Sequence, residues 1–368
     1  MLPTLFPLAH LEACFAADYA GAHARFRRAC DRHEHSRYRE FVYREKGPAN
    51  ENLITAVCWL GKAEARRVLV LQSATHGVEG FCGSAIQLDC LDQMHKRKGD
   101  ADLAILFIHA LNPYGFAWLR RVNEQGVDLN RNFIDFKQPL PVNSAYAELA
   151  DALLPSQQEG LAAADALLQD KRQVWGQWVF EEAVTRGQYT FADGLFYGGQ
   201  AASQSRLYLE QIINEFDLAS RQQVAVIDIH TGLGPFAYGE LICDHPPGSK
   251  AVQWAQRVYG NSVTEPALGN SSSPPKLGLV DYGWQAALAE RLCFVTLEFG
   301  TYPVKQMFEV LRADHRLHRQ AIKWHDRKVQ GVKQALREHF YPASADWQEM
   351  ILTRGRQVIR QAIQGLSP

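Results

Sequence analysis

The sequence predicts an α/β sandwich on a largely parallel sheet, and two observations carry that expectation. Four short apolar runs each end in a polar or glycine-rich break: Arg67–Ser73, Leu103–His109, Val224–His230 and Leu292–Gly300. Continuous aliphatic and β-branched runs of this length suit strands buried on both faces. Helical patterns such as Gly83–Lys96 and Ala201–Phe216 lie between them, and strands alternating with helices pair in parallel through crossovers. From Ala145 to Arg186 the chain is rich in Ala, Leu, Gln and Glu and reads as helix. Residues Pro235–Pro275 carry Pro, Gly and Ser breaks and read as a loop-rich insertion. The charged, periodic stretches Val304–His339 and Asp346–Ile363 read as helices packed on the outside. No repeat or linker divides the chain. One domain over residues 1–368 is expected, with its core near 50–303 and a helical extension over 304–368.

Composition narrows the function classes. The 368 residues are 46% apolar and 21% charged with a formal net charge of −1. That balance gives no electrostatic footprint for nucleic acid or an anionic membrane, and no apolar run reaches the roughly 18 residues of a membrane-spanning helix. The N-terminal stretch lacks a basic n-region and reads as an ordinary start, not a signal peptide. Seven cysteines are scattered without CxxC spacing. A disulfide framework and a Cys-rich zinc site are therefore not expected, and a cytoplasmic location is.

Open α/β sheets bind ligands beyond the carboxyl ends of their strands, and polar residues collect there. His76 and Glu79 follow the first run in SATHGVEG, His230 closes the third in DIHTGLG, and Glu298 ends the fourth in TLEFGTY. Two His and one Glu form a catalytic zinc set that leaves a fourth position for water. Glycines 77, 80 and 83 suit the tight strand-to-helix turn that lets His76 and Glu79 converge. Taken alone, His76 reads as readily as a cap of the following helix, and Glu298 as a buried carboxylate paired with an arginine. The dense polar string Asn112–Phe133 changes the balance. Its Arg131 sits between two asparagines, with Leu129 and Phe133 turned inward, and a guanidinium held so matches carboxylate geometry.

Five ordered motifs, HGVEG, NPYGF, DLNRNF, DIH and TLEFG, lie between Thr75 and Gly300. With them the chain resembles the zinc carboxypeptidase superfamily, which includes carboxypeptidase A and the aspartoacylase and succinylglutamate desuccinylase deacylases. The resemblance implies a three-layer α/β/α sandwich with a mixed, mostly parallel sheet. It implies one Zn²⁺ held by His76, Glu79 and His230. It gives Asp128 the role of accepting a hydrogen bond from the first ligand histidine. Asn130 and Arg131 match the pair that grips the substrate carboxylate. One of Arg120 and Arg121 matches the arginine that polarises the scissile carbonyl, with Arg121 favoured, and Glu298 matches the general base. Tyr282 is the best-placed candidate for the mobile tyrosine of the carboxypeptidases. Tyr197, Gly198, Gly199 and Asp281 could line the pocket.

The expected activity is zinc-dependent hydrolysis of an amide bond in a substrate with a free carboxylate, a peptide C-terminus or an N-acyl amino acid. The alternative from a different class is a catalytically inactive binding protein on the same fold. His109 is expected to be structural. His315, His318 and His325 are expected on a solvated helix face, and His23–Glu40 on an exposed one.

Overall fold

The computed structural model describes residues 6–95, 102–155 and 158–367; Lys96, the last residue of one expected helix, lies outside them. Among the described residues eight strands form one mixed sheet: β1 (Arg37–Lys46), β2 (Asn52–Leu60), β3 (Arg67–Ser73), β4 (Leu103–His109), β5 (Gln223–Phe236), β6 (Gly239–Ile242), β7 (Val263–Thr264) and β8 (Leu292–Gly300). Their spatial order is β1-β2-β4-β3-β5-β8-β6-β7. The four expected runs are the central strands, and β4, β3, β5 and β8 pair in parallel. The chain crosses from β3 to β4 on one side and reaches β5 on the other. The switch in strand order therefore falls between β3 and β5, where a crevice opens beyond their carboxyl ends.

Helices cover both faces, giving the three layers. One face buries Phe26, Phe81, Ile86, Trp347 and Ile351 from helices Tyr19–Asp31, Gly80–His95 and Ala345–Gly365. The other buries Leu209, Ile212, Trp284 and Leu288 from helices Gln204–Glu215 and Val280–Leu288. A third apolar cluster, with Phe180, Met307, Phe308 and Phe340, joins helices Gln177–Thr185, Val304–Leu317 and Arg327–Phe340.

Antiparallel strands flank the parallel core, β1 and β2 on one edge and β6 on the other, so the sheet is mixed as expected. Other expectations need correction. The run His23–Glu40 is not one exposed helix face. The helix stops at Asp31, with Phe26 and Cys30 fully buried, and residues from Arg37 onward enter edge strand β1. Residues 235–275 hold the end of β5, two short strands and helix Lys250–Tyr259, which Ser249 caps by accepting from the Val252 amide. The C-terminal helices are not an outer coat. Trp347, Ile351 and Leu352 are fully buried, and so is Lys333.

Lys333 explains the inward turn of His318. Its ammonium lies 2.6 Å from Asp314, whose other oxygen accepts from Arg120 Nε at 2.9 Å. His318 Nε2 lies 2.7 Å from Lys333 Nζ. His318 thus turns inward; His315 is buried as well, and burial pushes it down to about 4; of the three, His325 is exposed. Burial opposes ionisation of Asp314, but Lys333 and Arg120 outweigh it and hold the carboxyl well below its ordinary range. Removing one charge from a buried network strands the others, at about 3–5 kcal/mol. Asp314→Asn is expected to lower unfolding stability by about that amount in urea melts; a loss under about 1 kcal/mol would show that the cluster carries little.

Candidate metal centre

Three strand ends build the site. After β3 the backbone turns at Ala74, held at φ +56°, a left-handed conformation that costs a non-glycine residue roughly 1–2 kcal/mol. Residues Gly77–Glu79 then form a single 3₁₀ turn, and the His76 side chain makes no capping bond to it. The cap alternative for His76 is therefore absent. A Cβ on Gly77 would lie 2.0 Å from the carbonyl carbon of Gly115. This glycine lets the turn dock on the Asn112–Arg121 segment, where Gly77 and Val78 amides donate to Arg121 and Arg120 carbonyls. The parallel register of β5 and β8 sets His230 beside Glu298.

The three candidate ligands meet within hydrogen-bond distance and are buried. Glu79 Oε1 lies 2.9 Å from His76 Nδ1, and its Oε2 lies 3.0 Å from His230 Nδ1. The two Nδ1 atoms are 3.1 Å apart. The outer nitrogens face carboxylates: His76 Nε2 is 3.1 Å from Asp128, and His230 Nε2 is 2.7 Å from Asp228. A proton on each outer nitrogen leaves both Nδ1 lone pairs aimed at one point, the arrangement that second-sphere carboxylates impose on metal-binding histidines. Two such lone pairs beside a carboxylate repel unless a proton or a metal cation sits among them. The spacings fall slightly inside the edge of about 3.3 Å for a tetrahedron of zinc bonds. The donor set therefore fits a zinc-type cation after a spread of a few tenths of an ångström.

Arg121 adds a competing contact. Its Nη2 lies 2.7 Å from His76 Nε2, its Nε donates to Asp128 at 2.9 Å, and Nη1 is 3.4 Å from Glu79. A guanidinium only donates, so Arg121 and Asp128 demand opposite tautomers of His76. A cation at Nδ1 selects the Asp128 tautomer. The charges are strongly coupled. Burial penalises ionised Glu79, yet His76 and His230 overcome it and hold the carboxyl well below its usual range. Burial likewise opposes the His230 imidazolium, but Asp228 and Glu79 hold it well above the ordinary histidine value. Glu298 goes the other way: burial, then the charge of Glu79, pushes it up to about 7. The Leu233 amide donates to Glu298 at 3.0 Å and fixes its orientation.

The cleft brings together His76, Glu79, His230, Arg121, Asn130, Arg131 and Glu298. Asn130 Oδ1 accepts from the Val280 amide at 2.8 Å. Arg120 is turned away onto Asp314. Tyr282 is 38% exposed and hydrogen-bonds the Lys276 carbonyl at 3.2 Å, so it stands outside the cleft. Asp281 is buried without lining it. Tyr197 and Gly198 brace the polar string instead, their carbonyls accepting from the Asp128 amide and the Asn132 side chain. His109 bonds Ser84 at 3.0 Å and stacks on Phe26, the structural role expected. A second His/Cys/Asp group, His10, Cys14 and Asp89, is closed by Arg356, which engages both Asp89 oxygens.

Sequence reasoning missed three contributors. Asp228 sits two residues before His230, so strand alternation puts both on one face, a signal that was open to reading. Lys276 and Asp244 line the cleft from loops, where no periodicity points to them.

The family model described as "Protein of unknown function (DUF2817)" matches residues 15–354, and the chain belongs to that family. No curated protein sequence matches it. Among solved structures, carboxypeptidase A from Helicoverpa armigera superposes with a TM-score of 0.55 at 15% identity, covering 96% of this chain and 74% of that one. Thrombin activatable fibrinolysis inhibitor superposes at 0.50 with 10% identity, covering 99% and 81%. The likeness is one of fold, and the expected carboxypeptidase-like sandwich is the fold found.

Asp228→Asn is expected to weaken zinc binding about 10–100-fold in competition with a chromogenic chelator. An unchanged affinity would show that the His230 tautomer is not set by Asp228.

Proposed function

We propose that this member of the DUF2817 family is a zinc-dependent hydrolase of an amide bond in a substrate bearing a free carboxylate. One observation carries the reading. A carboxylate poised near neutrality, Glu298, lies in strand register with one of two histidines whose inner nitrogens converge on Glu79. The fold likeness supports this without specifying it. Cys14, Cys30, Cys58, Cys82, Cys243 and Cys293 are free and buried, which supports the cytoplasmic location.

A divalent cation held by His76, Glu79 and His230 supplies Lewis acidity toward water and the scissile carbonyl. Glu298 takes a proton from the attacking water and returns it to the leaving amine as the C–N bond breaks. Arg121, beside Glu79 and facing the cleft, offsets the negative charge that develops on the carbonyl oxygen. Arg131 holds the substrate carboxylate. Val304, Met307, Phe308 and Phe340 form an apolar wall of the same cleft and suit an apolar side chain or acyl group. The C-terminal helices therefore shape the substrate site.

Glu298 works as a base only when ionised, and its value of about 7 is raised above the ordinary glutamate range. Turnover is expected to fall as pH drops through about 7, or somewhat lower because a bound cation offsets the Glu79 charge. Glu298→Gln is expected to lower kcat about 10²–10⁴-fold with zinc content unchanged; wild-type activity in that variant would refute the mechanism. Hippuryl peptides assayed beside N-acyl amino acids on zinc-reconstituted protein separate peptidase from deacylase. Turnover of neither would sink both and favour the binding-protein alternative.

A further inference from the structure

Six Arg and Lys side chains are buried among the described residues: Arg67, Arg120, Arg121, Arg131, Arg312 and Lys333. Five have a carboxylate within 4.0 Å. Arg131, in the cleft, has none. Its Nε and Nη2 donate to the Thr185 carbonyl at 2.9 and 2.6 Å, and Nη1 to the Asn130 carbonyl. Two of its five N–H groups are left over.

A second unpaired cation shares that cleft. Lys276 is partly buried, and its ammonium contacts Ser273 Oγ and the Pro274 carbonyl, the latter at 3.0 Å. Burial, then the charge of Arg131, pushes it down to about 8, while Asp244 and Glu298 act in the opposite sense from beyond ion-pair distance. The loop bearing Lys276 is fastened to the Arg131 segment. Gly278 accepts from the Phe133 amide, and Val280 donates to Asn130 Oδ1. Gly278 has φ +69°, and a Cβ there would lie 2.3 Å from the Arg131 carbonyl oxygen. The fold thus holds in one cleft two cations that lack an ion-pair partner, with Asp244 and Glu298 lining it from beyond ion-pair distance, and a carboxylate placed against both cations offsets their repulsion.

We propose that Lys276 is a second anchor for the substrate carboxylate, acting on it together with Arg131. The inference rests on the carboxylate-bearing substrate of the proposed function, but the anion site can be tested without turnover. Two cations favour a carboxylate over its neutral amide by charge-assisted hydrogen bonds.

Calorimetric titration of the zinc-loaded full chain with N-benzoylglycine and with neutral N-benzoylglycinamide tests this. Lys276→Met is expected to weaken binding of the carboxylate about 10-fold or more and to leave the amide unchanged. Lys276→Arg is expected to retain the preference. Unchanged carboxylate binding in Lys276→Met overturns the proposal, as does an equal loss for both ligands, which marks a merely structural lysine. A wild-type protein that binds neither ligand overturns it as well. If the carboxylate binds through Lys276 but no amide substrate is hydrolysed, the hydrolase reading fails and the anion site stands.

Discussion

The site depends on the carboxylate of Glu79, which is buried between two imidazoles. Its two oxygens face His76 Nδ1 and His230 Nδ1 at 2.9 and 3.0 Å, and the Thr231 amide donates to it at 3.1 Å. A lone carboxylate in such a place would protonate or destabilise the fold. It stays ionised because positive charge is concentrated around it. That requirement shapes the surroundings: the outer nitrogens of both histidines need carboxylates, and those carboxylates need burial and partners of their own. Asp128 is fully buried and accepts from His76, Arg121 and the Asn130 amide. The Asn112–Phe133 string surrounds the candidate metal centre as much as it lines the proposed substrate cleft.

The same constraint explains the local backbone. Ala74 and Ala110 lie in the left-handed region at the ends of β3 and β4, without the glycine that would relieve it. Conformations of this kind persist where surrounding bonds over-determine them. The Leu111 and Asn112 amides donate to the Ser73 and Ala74 carbonyls and lock the two turns together. Glu298 stands on a neighbouring strand, close enough to feel Glu79 and far enough not to bond it. One carboxyl is therefore held low and the other raised, the separation that suits the proposed ligand and base.

Much of this was legible in the sequence, and the reasons are physical. Strands buried on both faces advertise themselves as apolar runs, so β3, β4, β5 and β8 and the residues at their ends could be placed. The edge strands could not. In β1 the exposed Glu40, Val42 and Arg44 alternate with the buried Phe41 and Tyr43, and the surrounding charges and the outward Val42 conceal the period. Arg120 and Arg121 are neighbours in sequence but point to opposite networks, Asp314 and Asp128, which no local pattern encodes. Lys276 and Asp244 reach the cleft from loops whose course is set by tertiary packing. The inward turn of His318 goes with Lys333, a charge brought there from another helix.

Zinc K-edge absorption on protein purified without added metal or chelator tests the central claim most directly. A near-stoichiometric zinc with two imidazole nitrogens and oxygen ligands at about 2.0–2.2 Å, lost on His76→Ala, is the expected result. A protein that carries no metal and takes up none, or one whose zinc sits in a sulfur-rich shell, would contradict it.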